Sequence, residues 1–149
     1  MNKKFLTLLL PLFVLNVYSQ KTENTDKILK NGWYEIDHSK SGVLKTDSKS
    51  GEKYYLKPEP LVTPENFKSF EEFENNYGDK GIAVYFDAEG TEIWRIATRN
   101  SIGNKLIFIL NNKVFCAQSV RSEITNGASA FWVVQQTDDE WELLRKLLN

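Results

Sequence analysis

The sequence holds a single histidine, His38, and a single cysteine, Cys116, and these two bound the side-chain chemistry open to it. A histidine acting as general base needs a nucleophile within hydrogen-bond reach and a third group to orient its ring. His38 sits in the polar turn Asp37-His38-Ser39, whose sequence neighbours do not supply that geometry, so it reads as an exposed turn residue. Cys116 lies between Phe115 and Ala117, with Lys113 and Arg121 too far along a strand to promise a thiolate. It reads as a packing thiol, with an intermolecular disulfide as the alternative. One cysteine and one histidine do not make a zinc site. The acidic runs Glu71-Glu72-Phe73-Glu74 and Asp138-Asp139-Glu140 lack the glycine and alternate ligand spacing of a calcium loop, and they read as helix starts. Gly90, Gly103 and Gly127 form no phosphate-cradling series. No metal and no cofactor are therefore expected. Asp87 and Glu89 could in principle serve glycoside hydrolysis, but an aspartate just ahead of an amphipathic stretch is better explained as a helix cap.

Binding is the richer possibility. Aromatic residues make up 13% of the chain, and Tyr54, Tyr55, Trp94 and Trp132 are candidates for a contact surface, because such side chains dominate binding hot spots. The formal net charge is −1, with acidic and basic residues interspersed. That pattern leaves no basic patch for a phosphate backbone, so no nucleic-acid partner is expected.

The elements that must position these residues begin after a targeting signal. Met1-Asn2-Lys3-Lys4 is a short basic start, Phe5 to Val17 is almost wholly apolar, and Val17-Tyr18-Ser19 precedes Gln20. This is the layout of a secretory signal peptide over residues 1–19, cleaved between Ser19 and Gln20. The apolar run is short of the ~20 residues that span a bilayer, and no cysteine follows it to take a lipid. The expectation is a protein that is periplasmic or secreted after cleavage, with no membrane insertion of the mature chain. Residues 20–31 read as a flexible leader and residues 32–149 as a single domain.

Within that domain, Gly32 to Ile36 reads as a first strand, and Val43 to Lys45 with Glu52 to Lys57 as a hairpin around a turn-rich loop. Thr63-Pro64-Glu65-Asn66 starts one helical turn. Ser69-Phe70-Glu71-Glu72 has capping-box spacing and predicts a short helix with Phe70, Phe73 and Tyr77 on one side and Gly78 as its stop. Ile82 to Phe86 is a central strand. A helix follows from Asp87 to Ser101, with Ile93, Ile96 and Ala97 inward and Trp94 at the border of that stripe. Leu106 to Leu110 and Val114 to Val120 make a hairpin about Asn111-Asn112. Ile124 to Gly127 is a corner, Ala128 to Val134 a strand, and Thr137 to Glu140 the capping box of a last helix. The order is that of an α+β domain, with a mainly antiparallel sheet and helices on one face.

Several of these segments, in order and spacing, resemble the head subdomain of the first periplasmic domain of the SecD/SecDF protein-export factor. Val84 to Gly90, containing Phe86-Asp87-Ala88-Glu89-Gly90, resembles its "FDxEG" corner. Ala97 to Leu106, with Thr98 and Gly103, resembles "LTxxNxGKxLA", and Ile107 to Ala117, with Lys113, resembles "IVLDGKVISAP". Ser122 to Gly127, with Ile124, Thr125 and Gly127, resembles "xxxITGG". Leu61 to Asn66 resembles "VLTGEDI". The resemblance runs over about residues 56–149 and leaves Trp33 to Lys53 outside it as a separate elaboration. Gln118 stands where that family commonly has proline. The membrane helices and base subdomain of the export factor have no counterpart here. The resemblance implies a head-like fold and contact with exported or unfolded polypeptide. The leading expectation is a non-enzymatic binding module linked to export or folding outside the cytoplasm. The alternatives are an inhibitor or neutralising partner of a secreted enzyme, and an exported enzyme with an unrecognised carboxylate site.

Overall fold

A computed structural model describes residues 27–132 and 136–149. Its strands are β1 (Gly32–Glu35), β2 (Val43–Thr46), β3 (Lys53–Leu56), β4 (Phe67–Glu74), β5 (Lys80–Phe86), β6 (Lys105–Leu110), β7 (Lys113–Ser119) and β8 (Ala128–Trp132). Its helices are α1 (Ala88–Asn100) and α2 (Asp138–Leu148), with one 3-10 turn at Pro64–Asn66. Every ladder is antiparallel. The strands form three sheets, β1-β6-β7, β4-β5-β8 and the hairpin β2-β3.

The two-residue alternation of strand side chains divides the interior into two cores. Trp33 of β1 and Leu106, Phe108 and Leu110 of β6 face one core, where they meet Ile82, Val84, Phe131, Trp94 of α1 and Leu144 of α2. Tyr34, Ile107 and Ile109 face the opposite way and meet Val43, Tyr54 and Leu56 of the β2-β3 hairpin. β6 is thus buried on both faces from Leu106 to Leu110. Both helices serve the first core: α1 packs over β5 and α2 over β4. The helices lie on one face of the sheets, and the β2-β3 hairpin covers the other face of β1-β6-β7.

Local chemistry explains the element ends. Asp87 accepts a hydrogen bond from the Gly90 N–H at 2.7 Å and caps α1, satisfying a donor that the helix itself leaves unpaired. Thr137 accepts from the Glu140 N–H at 3.3 Å while Glu140 accepts from the Thr137 N–H at 2.9 Å, a complete capping box. Asn111 and Asn112 take φ of 50° and 62°, the paired left-handed conformation of a tight hairpin turn.

Three expectations change. Phe67 to Glu74 is a strand paired antiparallel with β5, with one register shift between Phe67 and Ser69, not a helix at Phe70, Phe73 and Tyr77: the local capping signal loses to a long ladder. Within α1, Trp94 is 1% exposed and Ile96 is 39% exposed, so the tryptophan is the inward residue and the isoleucine the outward one. Residues 27–31 are docked rather than free as a leader: Leu29 is buried in the second core, its N–H donates to Asn112 Oδ1 at 2.9 Å, and Asn31 Oδ1 accepts from the Asn111 N–H at 2.8 Å. Ser19, Gln20, the expected signal peptide and the end of the last strand at Val134 lie outside the described residues.

Candidate interaction site

The division between the two larger sheets is where backbone chemistry is left open. The Phe86 N–H donates to the Gly127 C=O at 2.8 Å. In an antiparallel ladder the hydrogen-bonding direction alternates with every residue. Ser129 and Phe131 therefore face β5 as Gly127 does, while the backbone groups of Ala128, Ala130 and Trp132 point to the free side of β8. Their carbonyls bear this out. Ala128 O accepts from Trp94 Nε1 at 3.1 Å, and Ala130 O accepts from the Gln118 side-chain amide. The Val120 N–H bond to Asn104 O at 2.9 Å fixes the phase of β7 in the same way, and turns Ala117 and Ser119 outward.

The outward edges of β7 and β8 face each other across an open cavity of about 770 Å³. No backbone hydrogen bond joins the two strands among the described residues; side chains alone bridge them. Gln118 reaches from β7 to the Ala130 carbonyl, and its own carbonyl accepts from Ser129 Oγ at 3.4 Å. Ala83, Ala117, Ala128 and Ala130 keep the walls shallow, and Arg121 is the charged residue that lines them. Trp132 borders the cavity and packs edge-on against Phe73, with ring centroids 5.0 Å apart. The two rings meet over Gly81, where a Cβ would lie 2.5 Å from the Phe73 ring.

The motif residues are brought together, but as a scaffold for one bank of this seam. Thr98 is fully buried; its hydroxyl donates to Trp94 O at 2.8 Å and accepts from the Ile124 N–H at 2.9 Å. That pins the 124–127 corner to α1. Gly127 has φ +64°, and a Cβ there would lie 2.2 Å from Thr91 Oγ1. Phe86 is 5% exposed in the first core, and Gly103 (φ +83°) closes the end of α1. Thr125 is exposed at the corner and Lys113 is exposed at the start of β7. The contact candidates separate. Trp94 is buried against Trp33 and Phe86, with centroids at 5.0 and 5.4 Å, and Tyr54 is 3% exposed. Both belong to the interior and not to a contact surface. Tyr55 and Trp132 are half-buried, and only Trp132 adjoins the seam.

The groups weighed for chemistry are otherwise engaged. His38 is exposed. Hydrogen bonds from Ser39 and Ser41 hold the neighbouring Asp37 carboxyl well below the ordinary carboxylate range. Burial pushes the Cys116 thiol up to about 12, the opposite of activation. No group of three or more His, Cys, Asp or Glu side chains gathers to hold a metal among the described residues. None of the described helices is long and apolar enough to cross a membrane. Sequence reasoning missed the roles of Gln118 and Arg121. The signals available were the departure of Gln118 from the family's proline and its long polar side chain between Ala117 and Ser119.

Residues 41–148 match the family model described as SecDF, P1 head subdomain. The match takes in the β2-β3 hairpin, so residues 41–53 are part of the family's domain and not a separate elaboration. Protein translocase subunit SecDF of Thermus thermophilus is 26% identical over 96 residues, 62% of this chain and 13% of its own length. Protein translocase subunit SecD of Endomicrobium trichonymphae is 28% identical over 90 residues, 60% of this chain and 19% of its own. The chain thus spans less than a fifth of either relative. The solved structure of a membrane component SecDF that enhances protein export superposes with TM-score 0.60 at 17% identity, over 81% of this chain and 62% of the other. SecDF in its super-membrane-facing form gives TM-score 0.55 at 20% identity, over 80% of this chain and 18% of the other. These two likenesses carry the fold.

Proposed function

The chain belongs to the SecDF P1 head subdomain family, and from that membership we propose that it is a non-enzymatic polypeptide-binding module serving protein export or folding outside the cytoplasm, released there by cleavage after Ser19. The observation that carries this reading is the pair of strand edges at the β7–β8 seam. Peptide recognition by strand addition needs outward backbone donors and acceptors at strand spacing, which Ala117, Ser119 and Ala130 supply. The state of the titratable groups supports the same reading: Asp87 is committed to the Gly90 N–H, and Cys116 is a buried neutral thiol.

The test compares one exported polypeptide in its unfolded, reduced and blocked form with the same polypeptide folded, each titrated with the full chain and read by fluorescence anisotropy. Saturable binding of the unfolded form alone is expected. Equal binding of both forms, or binding of neither, overturns the reading.

A further inference from the structure

The seam has the form of a sheet with one strand left out. Around the first core the strands follow the order β1-β6-β7 and then, across the seam, β8-β5-β4, curled so that Trp33 meets Phe131 and Phe67 meets Phe108 with ring centroids 5.5 and 6.5 Å apart. A strand seated between two others needs them about 10 Å apart, twice the ~4.8 Å spacing of neighbouring strands. β7 and β8 do not bond each other through their backbones among the described residues, yet one glutamine side chain reaches across. On the β8 bank the Ala128 and Ala130 carbonyls borrow side-chain donors. Trp94 is locked in the core and cannot leave. Gln118 is half-buried at the cavity wall, and its amide presents to Ala130 O what a peptide N–H would present. The Ala130 and Trp132 N–H groups have no acceptor among the described residues. β8 carries no charged residue. Arg121 lines the cavity and makes no salt bridge among the described residues.

We propose that Gln118 is a stand-in for a missing strand: an extended polypeptide segment with small side chains and an acidic residue placed at Arg121 enters between β7 and β8, displaces the Gln118 amide from the Ala130 carbonyl, and joins the two sheets into one. This rests on the polypeptide-binding reading and gives it a location, a backbone conformation and a charge preference. Displacement is feasible because the incoming strand replaces the bond it breaks and adds others to N–H groups that have none.

The test uses the full chain and two short alternating Ser/Thr peptides that differ only in a terminal Glu or Lys. Amide hydrogen exchange should show new protection at Ala130, Trp132, Ala117 and Ser119 when the Glu peptide binds. Gln118→Ala should tighten binding about five-fold, the worth of one neutral hydrogen bond no longer competing, and Arg121→Glu should reverse the preference between the two peptides. Peptide binding with protection elsewhere, and with Gln118→Ala unchanged, overturns this inference while leaving the polypeptide-binding reading in place. Failure of unfolded polypeptide and both peptides to bind overturns the two together.

Discussion

The two outer strands of one sheet are finished in opposite ways. β4 carries Lys68, Glu71, Glu72 and Glu74, and its pairing with β5 shifts register between Phe67 and Ser69. Charges and bulges are the usual means by which a sheet edge resists an added strand. β8, two strands away, reads Ala-Ser-Ala-Phe-Trp without a charge, and its free side is met by the side chains of Trp94, Gln118 and Asn126. The comparison teaches that exposure of an edge is not the informative property. What distinguishes β8 is that its outward Ala130 carbonyl is answered by a replaceable donor, Gln118, whereas the edge of β4 is defended by carboxylates. β8 can afford this because its inward side is fixed: Phe131 is 1% exposed, with ring centroids 4.8, 5.5 and 5.6 Å from Phe108, Trp33 and Phe115.

The strongest way to break the comparison is through that anchoring. Phe131→Ala should cost about 3–5 kcal/mol in urea unfolding of the full chain, while Phe70→Ala on β4, 36% exposed, should cost less than about 1 kcal/mol. Equal losses would mean that β8 is no better anchored than the defended edge.

A smaller effect on stability, with a clear effect on association, is expected from exchanging the edge chemistry. Replacing Glu71, Glu72 and Glu74 by threonine should make the chain self-associate in sedimentation. The Glu72–Arg145 ion pair lost with them spans 3.0 Å but is well exposed, so the folding cost should stay below about 1 kcal/mol. Ala130→Lys should abolish unfolded-polypeptide binding with stability held within about 0.5 kcal/mol. A monomeric triple variant, or an Ala130→Lys chain that binds as before, would show that edge charge does not govern strand addition here.

The least effect at neutral pH concerns the opposite bank, β7. Burial raises Cys116 from 9.0 to about 12, and burial first, then the charge of Glu59, raises Tyr34 from 10.0 to about 12. The folded chain therefore keeps protons that the unfolded chain releases, so this contribution is whole below the ordinary values and is lost as pH climbs toward about 12. Thermal unfolding should be flat in this respect up to pH 9.0 and fall above it, and Cys116→Ala should move the onset toward the tyrosine value of 10.0. An onset unmoved by Cys116→Ala would mean that the β7 bank admits water.

The sequence disclosed what local chemistry dictates. The Asp87 cap, the Thr137–Glu140 box and the paired asparagines of the β6–β7 turn each involve residues a few positions apart, and all form as read. β4 was obscured because Ser69 to Glu72 carries a helix-start spacing, while its strand character depends on partners in β5 beyond a turn. The place of Trp94 was hidden by what fills the core opposite it: Trp33 comes from the far end of the chain. The seam was least legible. An unfilled gap leaves no residue pattern, and Gln118 showed itself as a departure from the family's proline without disclosing the contact it makes across the seam.

β6 brings a kinetic consequence. It pairs on one side with β7 across the tight Asn111-Asn112 turn, and on the other with β1, where Gly32 lies opposite Ile109. In a chain that emerges N-terminus first, β1 and the ring of Trp33 must wait for most of the domain to appear before their partner exists. Closure of so distant a pairing is slow relative to the local hairpin, and the waiting segment is apolar and unpaired. During its own biogenesis this chain passes through the same extended, unprotected condition as the ligand proposed for its seam.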